Sequence, residues 1–506
     1  MSPPHPPKRS FPPPGNGPSQ SGPVPDPDPG PGSGQDTPAA KGVARSALSV
    51  DTVLSLLAEE VAAGGPELLL VGGYVRDRLL GLPGSKDIDL VSLGDGGVEL
   101  FSRLASRLGW APPQVFDHFG TAQIRGNGIV LELVRARGEQ YDPASRKPSV
   151  RPGTLEEDLW RRDFTVNAIA QRLDGELLDL TGRGLSDLEA GVLDTPLAPA
   201  GTFAEDPLRM WRALRFVAQL DFSPSDRVVE ALADQADRIA IVSVERIAVE
   251  LSAMLLGKAP QRALQLAADT GLLRQTLPYV DAMRGVPQGG YHIYDVFGHS
   301  AAAVEAAPAQ LLVRLAALYH DVGKPVTHLV DQEGNHTFHA HAEAGAAMAR
   351  EELLSLRLGK ELVENVARLV ALHMRPIQYN SQFSDAAVRR LLRDAGGLAA
   401  PLLELARADT VASSYPDCHG LDELERRMLA LEEQGRYSAI SSPLSGDALM
   451  ELAARRAGPW VGRTQRALVE AVLDGEIPAH DRHAARQWLL VHPELLSWTG
   501  DDKSDS

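Results

Sequence analysis

The spacing of apolar residues changes once along this chain, and the change divides it. From Leu48 the positions Leu48, Val53, Leu56 and Leu57 begin a helical pattern. "LLLVGG" reads as a short buried strand stopped by a glycine turn, and "YVRDRLLG" as the helix after it. "KDIDLVSL" is a second strand, and "VELFSRLASRLGW" is an amphipathic helix with Leu100, Leu104 and Leu108 on one face. "TAQIRG" and "IVLELVRA" alternate as two further strands around a "GNG" turn. The stretch from Leu68 to Asp163 is thus expected to be a small mixed sheet with helices on one side. After about residue 185 the period becomes 3.6, in "DPLRMWRALRFVAQL", "VERIAVELSAMLL", "APQRALQLAADTGLL" and "QLLVRLAALYHDV". Nothing from there to residue 498 reads as a strand, and no fixed-period repeat is present. The fold class is α+β, a small mixed-sheet head followed by an extended all-helical chain.

Composition adds limits. At 506 residues, 43% of them hydrophobic, the chain is expected to hold two to four domains. Residues 1 to about 45 are Pro, Gly, Ser and Asp with almost no large apolar side chains, so they are expected to be disordered. No apolar run is long enough to span a bilayer, and no signal peptide is readable, so no membrane partner is expected. The single cysteine, Cys418, excludes an internal disulfide framework and fits a reducing cytoplasm. The net charge of −17 is a poor global match to a nucleic-acid binder; any such site must be a local basic patch.

The chemistry starts at Asp87 and Asp89 in "KDIDL". On a strand, residues i and i+2 project from one face. Two adjacent carboxylates repel unless divalent cations sit between them and a triphosphate, the arrangement that two-metal chemistry uses. An isolated D-x-D is more often a solvated strand end. Here Gly72 and Gly73 follow a buried strand and open a helix, where backbone N–H groups can approach phosphate oxygens, and Arg76 is within reach of them. Glu132, on "IVLELV", is either a third carboxylate or an ordinary strand residue. In "EEDLWRRDFTVNAIA", Arg161 and Arg162 offer forked donors for phosphate. Asp163 and Asn167, at i and i+4, are expected on one helical face, holding ribose hydroxyls or locking the helix to the sheet. Asp206 and Arg209 in "EDPLR" are expected side by side on a helix at i and i+3. An Asp acceptor beside an Arg donor matches the base edges of cytosine and adenine, and opposes those of uracil and guanine.

"LLLVGGYVRDRLLG…DIDL", "LEEDLWRRDFTVNAIA", "LLDLTGRGLSDLEAGVL" and "FAEDPLRMWRALRF" occur in that order. Together they resemble the motifs of the class II tRNA nucleotidyltransferases and bacterial poly(A) polymerases. The resemblance covers about residues 50 to 270, with related helices to about 495. It implies a nucleotidyltransferase head with helical neck, body and tail, Mg²⁺ at Asp87 and Asp89, and tRNA, CTP and ATP as partners. It also implies that Asp206 and Arg209 serve as a protein template for CTP and ATP. No obligate protein partner is readable.

A second constellation stands apart: His299 in "GHS", His320 and Asp321 in "YHDVGKP", His341 in "HAHAEAG", His373 in "LHMRP" and Asp409 in "RADT". Imidazoles with carboxylates suit a transition metal such as Mn, Ni, Co or Fe. His299, His320–Asp321 and Asp409 resemble the all-helical HD phosphohydrolase superfamily, with His341 and His373 as further ligands and Lys324 on a substrate phosphate. The expected layout is a disordered segment 1–45, a catalytic head 46–185, a nucleotide-selecting and tRNA-binding neck 186–285, an HD domain 286–425 and a helical tail 426–506. The expected activity is addition of CCA to the tRNA 3′ end. The alternatives are CC-only or A-only addition, then poly(A) synthesis, then an HD phosphohydrolase with an inactive head. The substantial segment "RARGEQYDPASRKPSVRPGTLEEDL" argues for competence in adding A, because CC-adding relatives typically shorten it.

Overall fold

The computed structural model describes residues 48–498 apart from 84, 117–120, 141–148, 289–293, 381 and 414–416. The Pro-rich start of the chain and the centre of the 135–159 segment lie outside the described residues. The head begins with α1 (Val50–Ala62), whose Thr52 N–H donates to the Ser49 side chain. Its strands are β1 (Leu68–Val71), β2 (Asp87–Ser92), β3 (Gln114–Phe116), β4 (Thr121–Gly126), β5 (Ile129–Arg135), β6 (Arg137–Gln140), β7 (Ser149–Pro152), β8 (Ala170–Arg172) and β9 (Leu177–Leu178). Seven of them form one sheet in the order β3-β4-β5-β2-β1-β8-β9. β2 and β5 run parallel, and the other neighbours are antiparallel. The head's other helices are α2 (Gly73–Leu79), α3 (Gly97–Leu108) and α4 (Leu155–Trp160), the last started by a Thr154/Glu157 capping box.

Strand parity positions the site. Ile88, Leu90, Leu131 and Leu133 are buried on the face against α3, where a side chain on Gly97 would strike Leu133. Asp87, Asp89 and Glu132 are offset by one residue and take the opposite face. Further along that opposite face, Leu69, Val71, Val91, Ala168 and Ala170 pack with Leu159 of α4. Helices therefore cover both faces, not the single side expected: the apolar half of the second face is closed by α4 and its acidic end stays open. Each fully buried Leu or Val here contributes about 1.5–3 kcal/mol relative to exposure.

The helical part continues through α5 (Gly184–Ala190), α6 (Pro199–Glu205), α7 (Leu208–Leu220), α8 (Asp226–Gln235), α9 (Val244–Leu255), α10 (Pro260–Asp269), α11 (Leu272–Thr276) and α12 (Pro278–Asp281). Next come α13 (Val296–Ala306), α14 (Leu311–Tyr319), α15 (Lys324–Thr327), α16 (His341–Ser355), α17 (Lys360–Leu372), α18 (Met374–Ile377), α19 (Asp385–Ala395) and α20 (Ala399–Val411), followed by tail helices to Ser497. Two short strand pairs correct the expectation of a strand-free region: β10 (Val192–Leu193) with β11 (Ser223–Pro224), and β12 (His328–Val330) with β13 (His336–Phe338). Strands of two or three residues are too short for a period-two signal. No helix among the described residues is long and apolar enough to cross a membrane.

Glu352 ties α12 to this bundle. It is buried on α16 and accepts from the Tyr279 N–H and the Tyr319 hydroxyl, each at 2.8 Å. Burial raises its pKa to about 7, although both hydrogen bonds pull it down. A carboxyl raised in the folded state stabilises fully below its unfolded pKa, and that stability is lost as pH rises through about 7. The loss amounts to about 3 kcal/mol. Glu352→Gln is expected to flatten this decline between pH 5 and 8 in chemical-denaturation midpoints taken at constant metal. Identical pH slopes in the two proteins would contradict the assignment.

Candidate active sites

The open end of the sheet is a cleft of about 360 Å³, lined among others by Asp89, Asp158, Arg161, Arg162, Asp163, Asp206, Arg209, Arg212 and Arg246. Those five arginines outnumber the four aspartates, so the cleft is locally basic although the chain carries −17. Asp89 and Glu132 are register partners on adjacent parallel strands, and Gln123 donates to Glu132 at 3.5 Å. Gly72, with φ +72°, opens α2 directly against the site. A Cβ there would lie 3.3 Å from both Arg162 Nη1 and Asp89 Oδ2, so only glycine leaves that edge free. The Asp89 carboxyl is raised, first by its enclosed setting and also by Asp87, against the pull of Arg162 and Arg212. Both Asp87 and Asp89 keep solvent contact at the strand end. The three carboxylates share a face and a register without converging into a cage. This suits Mg²⁺, which keeps waters and substrate oxygens among its ligands.

Several expected positions differ in detail. Asp163 and Asn167 do not share an α-helical face: α4 stops at Trp160, Phe164 is extended, and Thr165–Asn167 is a single 3₁₀ turn. Both are buried in one network. Asn167 Nδ2 donates to Asp163 Oδ1 at 3.0 Å, and Arg212 Nε donates to Asp163 Oδ2 at 2.7 Å. Burial opposes ionisation of Asp163, but Arg212 and Asn167 outweigh it and lower its pKa. Arg76 is buried too, with Nη1 on Asn167 at 2.7 Å, Nε on Asp77 at 2.8 Å and its guanidinium over Phe216. It braces this network from behind the glycines.

Asp206 and Arg209 do not form a helical i,i+3 pair either. Asp206 is extended at φ −136°, ψ 97° because Pro207 follows, and α7 starts only at Leu208. The Asp206 carboxylate accepts from the Leu208 N–H at 3.1 Å and from Arg246 at 3.0 Å. Arg209 is held by Glu205 at 2.9 Å and by the Arg161 carbonyl at 3.1 Å. Arg162 is held by Asp158 at 3.0 Å, and Arg161 lies 3.7 Å from the same Asp158. Arg212, Arg246 and Glu250 are not evident in the sequence. On α9, Arg246 reaches Asp206, while Glu250 one turn later reaches Arg215 at 2.6 Å and Arg212 at 3.8 Å.

The second constellation assembles from five helices. His299 comes from α13, His320–Asp321 from the end of α14, His341 from the start of α16, His373 from the end of α17 and Asp409 from α20. Their ligand atoms form two trios, His299/His320/Asp409 and Asp321/His341/His373, each with its atoms within 4.8 Å of one another. Gly323 permits this: a Cβ there would overlap the His341 carbonyl at 2.1 Å. His320, His341 and His373 place Nδ1 at 2.7–2.8 Å from the carbonyls of Ala317, Phe338 and Val370. A carbonyl only accepts, so each Nδ1 carries a proton, and each ring in its neutral form aims its Nε2 lone pair inward. The Nε2 atoms of His341 and His373 then face each other at 3.3 Å, a repulsive contact that a cation relieves. His299 Nε2 meets Asp409 at 2.8 Å, and Lys324 Nζ meets Asp321 at 2.7 Å. Burial disfavours charge on His320, but Asp321 and Asp409 outweigh it and raise its pKa to about 9. Burial, then the charge of His320, push His373 down to about 4. Asp409 falls to about 2 against the effect of burial, chiefly through His320 and His299. The cluster is thus built to hold positive charge at its centre.

Residues 68–194 match the family described as the poly A polymerase head domain, 221–284 its probable RNA- and SrmB-binding site, and 289–413 the HD domain. The chain is 37% identical to an A-adding tRNA nucleotidyltransferase of Deinococcus radiodurans, over 85% of this chain and 97% of that protein. It is 34% identical to a CC-adding tRNA nucleotidyltransferase of Thermus thermophilus, over 83% and 92% respectively. Its fold is similar to the crystal structure of the Bacillus stearothermophilus CCA-adding enzyme in complex with CTP, with a TM-score of 0.63 at 24% identity, covering 88% of this chain and 98% of that one. The chain therefore belongs to the tRNA nucleotidyltransferase and poly(A) polymerase family, as an enzyme that carries an HD domain behind its head and RNA-binding neck.

Proposed function

We propose that this enzyme completes tRNA 3′ ends by adding C, C and A from CTP and ATP without a nucleic-acid template. The observation that carries this reading is that Asp89 shares one cleft with Arg161, Arg162, Asp206 and Arg209, beside Asp87 and Glu132 on the same sheet face. Asp87, Asp89 and, by its register, Glu132 would hold Mg²⁺. Two such ions supply activation of the attacking 3′ hydroxyl and charge neutralisation on the leaving pyrophosphate. Arg161 and Arg162 clamp the triphosphate, and the N–H groups at Gly72 and Gly73 lie at its edge. Asp206 accepts from the amino group of cytosine or adenine, and Arg209 donates to the adjacent ring nitrogen. The base replaces Arg246 and Glu205, which occupy these two groups in the structure. Uracil and guanine present the reverse pattern and would leave both protein groups unpaired.

Two near-full-length relatives are named for one part of the CCA sequence each, which favours CC-only or A-only addition as the second reading. Poly(A) synthesis and an inactive head stand behind these. Base selection tests the template pair. Asp206→Ala and Arg209→Ala are each expected to reduce the preference for CTP and ATP over UTP and GTP by about 5- to 150-fold, the equivalent of about 1–3 kcal/mol. Competition assays with the four nucleotides measure it, and unchanged discrimination in both variants would remove the template role.

For the HD domain we infer a phosphohydrolase with one transition-metal ion at each trio of two histidines and an aspartate. The facing lone pairs of His341 and His373 support this. Lys324 would bind the substrate phosphate beside Asp321. A cytoplasmic location fits the single cysteine.

A further inference from the structure

Beside the histidine cluster lies a feature that the hydrolase reading leaves without a role. β12 and β13 pair as an isolated two-stranded hairpin between α15 and α16, with His328 opposite Phe338 and Val330 opposite His336. These four side chains share one hairpin face. The His328 and Phe338 rings are stacked at 19° with centroids 5.2 Å apart, and His328 and His336 at 17° and 4.9 Å. A hydrogen bond of 2.7 Å between His328 Nε2 and His336 Nδ1 fixes the two imidazoles in this orientation. An isolated hairpin is marginally stable, and the apolar Leu329 and Val330 on this one stay 62% and 57% exposed. Packing alone gives little reason for the three rings to be there.

The Phe338 end of the stack is tied to the cluster twice. The Phe338 carbonyl accepts from His341 Nδ1 at 2.8 Å. Lys324 Nζ sits 5.4 Å from the centre of the Phe338 ring and 2.7 Å from Asp321, and it also donates to Gln288. One cation is therefore shared between a cluster carboxylate and the aromatic stack. In a nucleotide, a single ribose separates phosphate from base.

We propose that His328, His336 and Phe338 form a stacking platform for the base of a nucleoside phosphate whose phosphate is taken by Lys324 and the histidine cluster. The proposal rests on the hydrolase reading above. Every base has a π-face, so the platform selects for the presence of a base rather than its identity. The nucleoside phosphate is either free or the 3′ end of an RNA, and the two are separated by assaying 2′,3′-cyclic CMP and a tRNA ending in a 2′,3′-cyclic phosphate.

The test uses the full chain supplied with Mn, Ni, Co or Fe. It compares kcat/KM for 2′,3′-cyclic CMP with that for glycerol 2-phosphate, which has no base. Loss of one stacking ring is worth roughly tenfold to a hundredfold, so His328→Ala and Phe338→Ala should each lower this ratio by about that much, mostly through KM. His328→Phe, which keeps a flat ring, should restore it. The dissociation constant of 2′-CMP, measured by equilibrium dialysis, should rise in parallel in the two alanine variants. An unchanged ratio in both alanine variants, for 2′,3′-cyclic CMP and for the cyclic-ended tRNA alike, with the wild type active on these compounds, overturns the platform alone. A wild type that hydrolyses neither compound overturns the hydrolase reading and the platform with it. A platform that serves RNA shows the loss on the tRNA substrate, and one that serves free nucleotides shows it on 2′,3′-cyclic CMP.

Discussion

Asp87→Ala and Asp89→Ala are each expected to lower nucleotide addition by at least about a thousandfold, because either change would dismantle the proposed paired metal site. Neither should unfold the chain. Both side chains lie at the open end of β2, while the residues that pack that strand, Ile88, Leu90 and Val91, are untouched. Desolvation and Asp87 raise the Asp89 carboxyl more than Arg162 and Arg212 lower it, so its setting disfavours the charged form and its removal is expected to cost the fold little. Incorporation of labelled CTP and ATP, with thermal unfolding measured on the same preparations, checks both halves. Near-normal addition by either variant would remove the assigned active site. Loss of addition together with loss of folding in both would show that these carboxylates hold the head together instead.

The second large effect is expected at Asp321. This buried carboxylate lies within 3.9 Å of His299, His320, His341 and His373 and 2.7 Å from Lys324. Its pKa is held well below the ordinary carboxylate range, against burial, chiefly by His320 and Lys324. Asp321→Ala is expected to remove all tightly bound transition metal and all HD hydrolysis, because this carboxylate faces histidines of both trios. His341→Ala is expected to remove about half the metal, since the other trio stays complete. Removing one member of a buried charged cluster costs about 3–5 kcal/mol, so the milder His341→Ala guards against a folding failure in Asp321→Ala. Mg²⁺-dependent nucleotide addition should continue at a comparable rate in both, because no cluster residue lines the head's cleft. Elemental analysis and the addition assay on the same preparations decide it. Wild-type metal content in Asp321→Ala would contradict the ligand assignment. Loss of addition in folded His341→Ala would show that the two sites are coupled.

Strand parity makes Asp87 and Asp89 legible as a pair in the sequence, since the period of a strand is fixed at two. Glu132 stays undecided there because its role depends on which strand lies beside β2, and only the β2–β5 register sets it opposite Asp89. Residue type and motif are enough to collect the six ligands of the second constellation. Their division into two trios depends on how five helices cross, which spacing does not encode. A helical reading misplaces Asp206 although the contrary signal is present. A residue before proline is pushed out of helical conformation, so "DPLR" argues against an i,i+3 helical pair. The same reading misplaces Asp163 and Asn167, because a helix that ends at Trp160 and resumes as one 3₁₀ turn keeps enough apolar spacing to look continuous. Arg212 and Arg246 escape notice because their partners, Asp163 and Asp206, lie 49 and 40 residues away in the chain. The β12–β13 hairpin leaves no pattern because its strands have three residues each.

The most direct test of the central claim is the length and composition of the product made from a tRNA that ends at its discriminator base. With CTP and ATP supplied together, the full chain is expected to extend it by C, C and A and then stop. Extension is expected to halt after CC when ATP is withheld. Addition of C alone, or of A only to a tRNA already ending in CC, would contradict complete CCA synthesis and place this chain with the specialised enzymes. No extension of any of these tRNAs by a folded, Mg²⁺-supplied protein would contradict the account at its base.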